Sequence, residues 1–195
     1  MLEDPLFSSF FQAWEKLRTN GSVPNRSDVK LQDFAPFAAD LLIYDLYSPT
    51  DLRSRLMGSR VTERVKFHGN DVNWLDLVCP SVRKAGELWW NSLINTPCAG
   101  IMQFSTRFLN GTNRLARAML LPIIGPEGQT LLLTLNQATN VFRVDDAEGK
   151  ILISADCFQT LYIDIGFGLP AGQEARVDSK TIDQDVLVSL YETPQ

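Results

Sequence analysis

The stretch "DLLIYDLYSPTDLRSRLMG", residues 40–58, predicts a β-hairpin. Strand-forming residues fill 40–47 and 52–57, and the intervening "SPTD" has the composition of a turn. The period of two along a strand places Arg53 and Arg55 on one face, opposite Leu52, Ser54 and Leu56. We therefore predict that both arginines face solvent and are not catalytic. Gly58 is expected to leave the strand with a backbone angle that is costly for other residues.

Upstream of the hairpin, apolar residues at helical spacing predict an amphipathic helix over residues 5–19. Its stripe consists of Leu6, Phe7, Phe10, Phe11, Trp14 and Leu17. This stripe carries more aromatic surface than one short helix usually needs, so it packs either on its own sheet or on a second copy of the chain. We favour a homodimer with Phe7, Phe10, Phe11, Trp14 and Leu17 at the interface, to which residues 141–195 are a second candidate contributor.

Downstream of the hairpin, the pattern predicts a helical crossover and then a three-stranded meander. Residues 61–78 are mixed and short-range, and residues 81–95 have the apolar stripe of a helix. "AGIMQFSTRFLNG", residues 99–111, alternates and directs Met102 and Phe104 to the core. Two further strands are expected over 114–124 and 129–139. Helix, hairpin, crossover and meander form an α+β pattern with an antiparallel sheet.

Composition narrows the class of protein. A chain of 195 residues fits one domain with an extension, and a net charge of −5 argues against binding nucleic acid. A cluster of basic residues, Arg53, Arg55, Arg60, Arg64 and Lys66, is interspersed with acids and is interpreted as a solvated face. The start "MLEDPL" lacks the basic region of a signal peptide, and no apolar run is long enough to span a membrane.

Cysteine and histidine usage argues against metal and relay chemistry. The three cysteines, Cys79, Cys98 and Cys157, are too far apart for zinc spacing, and their odd number favours a reducing compartment. We predict a cytoplasmic protein without a bound metal. His68, the single histidine, lies in "KFHGND" with no nucleophile motif nearby. No catalytic residue is predicted, and the sequence identifies no cofactor.

Several motifs occur in an order that resembles a known family. They are "FQAWEKLR", "VPNRSD", "RLMGSR", "GNDVNWLDL" and "RLARAMLLPIIGPEGQTLLLTLNQ". Across roughly residues 10–140, this order resembles a bacterial family of small stand-alone PAS-type proteins. The resemblance implies a five-stranded antiparallel sheet with helices over one face, plus the N-terminal amphipathic helix and a β-rich C-terminal extension. The expected segments are an N-terminal flank, residues 1–38, a PAS-like domain, residues 39–140, and an extension, residues 141–195.

The same resemblance implies sensing or regulated interaction rather than catalysis. The expected function is signal transduction through a small-molecule ligand, a signalling protein partner, a homodimer, or a combination of these. Large apolar residues are the candidates to line a ligand cavity between sheet and helices: Tyr44, Leu56, Trp74, Trp89, Met102, Phe104 and Met119. Simple core filling is the alternative for these residues. The alternative function is a small α+β cone-type enzyme, which needs polar catalytic groups inside its cavity.

Overall fold

A six-stranded antiparallel sheet organises the protein. The computed structural model describes residues 5–65, 72–108, 113–141 and 152–172. Within these residues the strand order is β2-β1-β5-β4-β3-β6. The strands are β1 (Leu41–Ser48), β2 (Asp51–Met57), β3 (Ala99–Phe108), β4 (Asn113–Ile124), β5 (Thr130–Val141) and β6 (Leu152–Ile163). The antiparallel α+β class is therefore confirmed.

The strand count differs from the five that were expected. β6 comes from the predicted C-terminal extension and pairs with β3 from Ala99↔Ile163 to Phe108↔Leu152. Without β6, the ten-residue strand β3 would present an unpaired edge of backbone N–H and C=O groups. The added strand satisfies this edge, so the predicted C-terminal extension contributes a strand to the same sheet as the predicted PAS-like domain.

Helices cover both faces of the sheet. Helix α1 (Pro5–Glu15) and the 3₁₀ segment Ala35–Asp40 lie on one face. Helices α2 (Ser59–Val65) and α3 (Arg83–Asn95) lie on the other face with the 3₁₀ segment Trp74–Leu77. Alternate residues of each strand enter the two cores, as Ile43 and Tyr44 of β1 do.

The aromatic stripe of α1 lies in the chain's own core. Phe7, Phe10 and Trp14 have no exposed surface, Phe11 is also buried, and Leu17 packs half-buried against the same core. The Trp14 indole Nε1–H donates to the carbonyl oxygen of Pro122 at 2.9 Å, which ties α1 to β4. Since these side chains cover an apolar sheet face, they are not available as a dimer surface. The predicted interface through Phe7, Phe10, Phe11, Trp14 and Leu17 is corrected accordingly.

A β-bulge changes the alternation of β2. Ile43 pairs with Leu56 and Tyr44 with Ser54, so Arg55 is the extra residue on its strand. Beyond the bulge the faces exchange, and Leu56 packs with the α1 core instead of facing the same way as Leu52. Strict period-two alternation is therefore wrong for Leu56.

The two arginines of β2 are half-exposed and make different ion pairs. Arg53 Nε lies 2.8 Å from Asp51 Oδ1 at the surface. Arg55 Nε lies 2.5 Å from Asp45 Oδ2, and the side chain of Asp45 is only 6% exposed. Because Arg55 pairs with a buried carboxylate, the two arginines are not equivalent in energy.

We expect Arg55→Gln to lower the free energy of unfolding by about 1–3 kcal/mol, because it leaves the Asp45 carboxylate without its charged partner. Arg53→Gln is the matched control and is expected to cost less than about 1 kcal/mol, as for exposed ion pairs. Urea unfolding followed by tryptophan fluorescence measures both. Equal, small losses in the two variants would show that the Arg55–Asp45 pair is no more important than a surface pair.

Gly58 is required by crowding and not by its backbone angle. Its φ is not among the positive values recorded for described glycines, so the predicted strained angle is wrong. A Cβ at this position would lie 2.3 Å from the Ala38 carbonyl oxygen and 2.4 Å from that of Ala39. The Gly58 N–H also donates to the Leu41 carbonyl oxygen at 2.7 Å. Glycine lets α2 begin directly against the segment that leads into β1.

Candidate ligand cavity

A cavity of about 80 Å³ lies between the sheet and helices α2 and α3. Most of its walls are apolar, and four of its side chains are aromatic, as is usual for small-molecule sites. Its lining consists of Tyr44, Leu52, Val61, Arg64, Val65, Trp74, Leu77, Val78, Trp90, Met102, Phe104, Thr106, Ala116, Ala118, Asn136 and Ala138. We call this space the first cavity.

Small side chains on the central strands leave the space open. Ala116 and Ala118 of β4 face the first cavity, and Ala116 pairs with Ala138 of β5. Met102 and Phe104 of β3 flank them, paired with Ala118 and Ala116. Since an alanine extends only one carbon from the sheet, the aromatic residues of the helices cannot close the gap above it.

Asn73 places Trp74 at the cavity wall. Its Oδ1 accepts hydrogen bonds from the backbone N–H of Leu52 at 2.9 Å and of Leu75 at 3.1 Å. Its Nδ2 donates to the Thr50 carbonyl oxygen at 2.8 Å, so one side chain joins the 3₁₀ segment to the hairpin turn. Sequence reasoning missed Asn73, although an asparagine directly before "WLDL" is a helix-capping signal.

Asn91 and Gly100 set the position of α3. Asn91 Nδ2 donates to the Pro49 carbonyl oxygen at 2.9 Å, which holds the helix to the hairpin turn. A Cβ on Gly100 of β3 would lie 2.9 Å from Trp89 Cζ2 and 2.9 Å from Leu93 Cδ2. Because Gly100 has no side chain, α3 approaches β3 closely at this position, and Trp89 and its neighbour Trp90 pack on the sheet.

The aromatic side chains form a continuous cluster. Tyr44 meets Trp74 and Trp90 edge-on, with ring centroids 5.4 and 5.0 Å apart, and Trp90 meets Trp89 at 5.2 Å. Burial raises the pKa of the Tyr44 hydroxyl above its usual value, and the nearby positive charge of Arg64 opposes that shift. At neutral pH the hydroxyl therefore keeps its proton and can donate a hydrogen bond.

One end of the first cavity is positively charged. The Arg64 side chain, on α2, is only 17% exposed. Its Nη1 lies 3.2 Å from Asp40 Oδ1, and its Nη2 donates to the Asn136 carbonyl oxygen at 2.9 Å. Asp40 also pairs with Arg60 at 3.2 Å, whose side chain points to solvent. The predicted solvated basic face is therefore corrected for Arg64; Lys66 lies outside the described residues.

A second cavity of about 200 Å³ adjoins the first. Its own walls are Val82, Ala85, Gly86, Trp89, Gln159 and Thr160, and it shares Val78, Trp90, Met102 and Phe104 with the first cavity. The buried indole Nε1–H of Trp89 has no hydrogen-bond partner among the described residues. Met102 is the flexible part of the shared wall.

The structure brings together five of the seven predicted cavity residues. Tyr44, Trp74, Met102 and Phe104 line the first cavity, and Trp89 lines the second. Leu56 and Met119 belong to the opposite core, beneath α1. The bulge in β2 explains Leu56. Met119 is misplaced because β4 directs Ala116, Ala118 and Leu120 to the cavity side of the sheet, whereas Met119 lies on the alternate face beneath α1. That the five bind a ligand stays a prediction.

Catalytic chemistry has little support in the described part of the chain. The described lining of the first cavity contains no carboxylate, histidine or cysteine. Burial raises the pKa of the Cys98 thiol to about 12, so this cysteine is no nucleophile at neutral pH. No described group of acids, histidines and cysteines could hold a metal ion. His68 lies outside the described residues.

Comparisons with known proteins address the family. Residues 3–135 match the PAS domain family, which covers more than half of the chain and extends from α1 into β5. No curated protein and no solved structure matches the chain. None of the described helices is long and apolar enough to cross a membrane.

PAS domains have sensory or regulatory roles in general. The match and the antiparallel sheet with its helices agree, and the chain belongs to the PAS domain family.

Proposed function

We propose that this PAS domain senses a small molecule bound in the first cavity and passes the signal on through a protein contact. The observation that carries the proposal is a cavity with aromatic walls and one charged end within the core between the sheet and helices α2 and α3. Native cores contain few voids larger than a water molecule. A space built by alanines on two neighbouring strands is therefore better explained by an occupant than by imperfect packing.

The size of the space favours a small, flat ligand. The first cavity measures about 80 Å³, whereas an apolar cavity of about 150 Å³ accommodates benzene. The second cavity adds about 200 Å³ behind the wall that contains Met102. Methionine adapts its shape at little cost, so displacement of this side chain would join the two spaces. A molecule of one or two rings would then fit.

A route for the signal starts at α3. Trp89 and Trp90 line the cavities from the inner side of the helix. The preceding residue, Leu88, lies on the outer side of the helix and is 59% exposed. A ligand that displaces Trp90 would shift α3 against the hairpin turn, to which Asn91 holds it. The surface around Leu88 would move with the helix, and we propose this surface as the contact for a signalling partner.

The proposal has three further parts, which concern oligomeric state, location and the absence of catalysis. Homodimerisation rests on the general behaviour of PAS domains, and its interface must lie outside the aromatic face of α1. A cytoplasmic location rests on cysteine usage. A non-enzymatic role rests on the family, and the described cavity lining supplies no acid–base pair in favour of the cone-type enzyme.

The proposal is tested by detecting ligands of the wild-type protein and by filling the first cavity with a larger side chain. Native mass spectrometry of the purified protein is expected to reveal a co-purified small molecule, or a screen of one- and two-ring compounds is expected to find ligands that raise Tm. Ala118→Leu should abolish this binding, because the added carbons occupy the space above β4. At a ligand concentration of 100 Kd, wild type should gain about 2.7 kcal/mol of stability that the variant lacks.

Ala35→Leu is the matched control, since the same substitution is made at an exposed alanine away from both cavities. It should leave ligand binding unchanged. Absence of any co-purified or stabilising compound in wild type, or equal binding by folded Ala118→Leu, would refute the cavity as the sensing site.

A further inference from the structure

We infer that the first cavity takes a small aromatic carboxylic acid whose carboxylate pairs with Arg64. This inference rests on the proposed function and specifies its ligand. The argument has three parts: the charge at the end of the cavity, the shape of its walls, and its volume.

The charge at the cavity end has a definite sign. Among the described lining residues, Arg64 is the one side chain that is charged at neutral pH. Asp40 is shared between Arg64 and Arg60, at 3.2 Å from each, so a single carboxylate serves both guanidinium groups. An anion in the cavity would pair with Arg64 from the cavity side, and hydrogen bonds from a guanidinium to a carboxylate are about twice as strong as those between neutral groups.

Arg64 is also held in place before any ligand arrives. Asp40 and the Asn136 carbonyl oxygen fix its guanidinium, so binding need not order this long side chain. Neutral hydrogen-bonding side chains, among them Tyr44 and Asn136, line the same cavity. Burial raises the pKa of the Tyr44 hydroxyl, so this group keeps its proton at neutral pH and can donate a hydrogen bond. Together they suit the two oxygens of a carboxylate.

The walls and the volume select the rest of the molecule. Rings of Tyr44, Trp74, Trp90 and Phe104 surround the space, and their flat faces and edges pack well on another aromatic ring. The first cavity of about 80 Å³ is smaller than the space that benzene needs, so a ring held at its wall also requires part of the adjoining second cavity. The chemistry is therefore that of benzoic, phenylacetic or indole-3-acetic acid, whose rings extend into the second cavity when Met102 is displaced.

Isothermal titration calorimetry on the full-length protein tests the inference. The probes are benzoate, phenylacetate and indole-3-acetate, each paired with its uncharged amide, with hexanoate as the aliphatic acid. At least one aromatic acid should bind at least about tenfold more tightly than its amide and than hexanoate, the factor that one charge-assisted contact supplies. This comparison needs only wild-type protein, so it holds even where a variant fails to fold.

Two matched variants locate the charge. Arg64→Gln should weaken binding of the acid at least about tenfold and leave binding of the amide unchanged, and Arg64→Lys should recover part of the loss. Arg60→Gln removes an equal charge from the same Asp40 but does not line the cavity. It should change the affinity for the acid by less than about threefold, as expected for an exposed, screened charge.

The outcomes separate this inference from the proposed function. If an amide binds as tightly as its acid, or hexanoate binds more tightly, the carboxylic acid inference is wrong while the sensing cavity stands. The same holds if only compounds of another class bind and Ala118→Leu abolishes their binding. If neither the acids nor any screened compound binds and nothing co-purifies, the proposed function fails together with the inference.

Discussion

Trp14→Ala is expected to lower the free energy of unfolding by about 3–5 kcal/mol, the range for removing a large buried aromatic side chain. Trp14 has no exposed surface and packs against Phe11 with ring centroids 5.7 Å apart. The substitution would also leave the Pro122 carbonyl oxygen without the indole donor that lies 2.9 Å away. Chemical unfolding monitored by circular dichroism measures the loss.

Two controls define what this loss means. Gln12→Ala lies on the exposed side of the same helix and should change stability by less than about 0.5 kcal/mol. The loss in Trp14→Ala should not depend on protein concentration, because the side chain packs within one chain. A loss that shrinks at low concentration would place Trp14 in a subunit interface and contradict the arrangement of α1 described above.

Gly58→Val should destabilise the protein by about 3 kcal/mol, and Gly58→Ala by about 1–3 kcal/mol, the usual cost of overpacking. The Cβ of either variant would meet the backbone oxygens of Ala38 and Ala39 at 2.3 and 2.4 Å. Backbone atoms cannot rotate away as the end of a flexible side chain can, so α2 or the segment before β1 must shift. Thermal and urea unfolding measure the effect.

Gly86→Ala is the matched control for a glycine in a regular element. Its Cβ would meet Val78 Cγ1 at 3.7 Å, which is ordinary contact, and the residue lies inside α3. Alanine should therefore raise stability by roughly 0.5–1 kcal/mol through its helix propensity. A neutral Gly58→Ala alongside a stabilising Gly86→Ala would contradict the close approach at Gly58.

Local patterns were sufficient to place most elements in the chain. β1 and β2 occur within one residue of their predicted bounds, because alternation and the "SPTD" turn are properties of neighbouring residues. Helix α3 was also predicted, although it begins at Arg83 rather than at Ser81. The helix expected over 5–19 ends at Glu15. The residues of its last predicted turn form isolated hydrogen-bonded turns instead of a continuous α-helix.

The cavity was predicted in part, and its errors have a common cause. Tyr44 and Phe104 were placed correctly, because their strands keep a regular alternation. Leu56 and Arg64 were misjudged, since the first follows a bulge and the second folds back onto Asp40, which is 24 residues away. Neither the bulge before Leu56 nor the contact between Arg64 and Asp40 can be predicted from the pattern of neighbouring residues. Asn73, by contrast, had a capping signal that the sequence analysis did not use.

The amino-acid sequence by itself determined the α+β class, the order of helices and strands, and the apolar faces of those elements whose periodicity is unbroken, because these depend on residues within a few positions of one another. Only the tertiary structure decided that α1 covers its own sheet, that β6 extends the sheet beside β3, and that alanines of β4 leave a cavity beneath Trp90. These outcomes depend on which face meets which partner across distances of up to 108 residues in the chain, as in the Trp14–Pro122 bond. Local periodicity shows that a side chain must be buried, and long-range packing selects the surface that buries it.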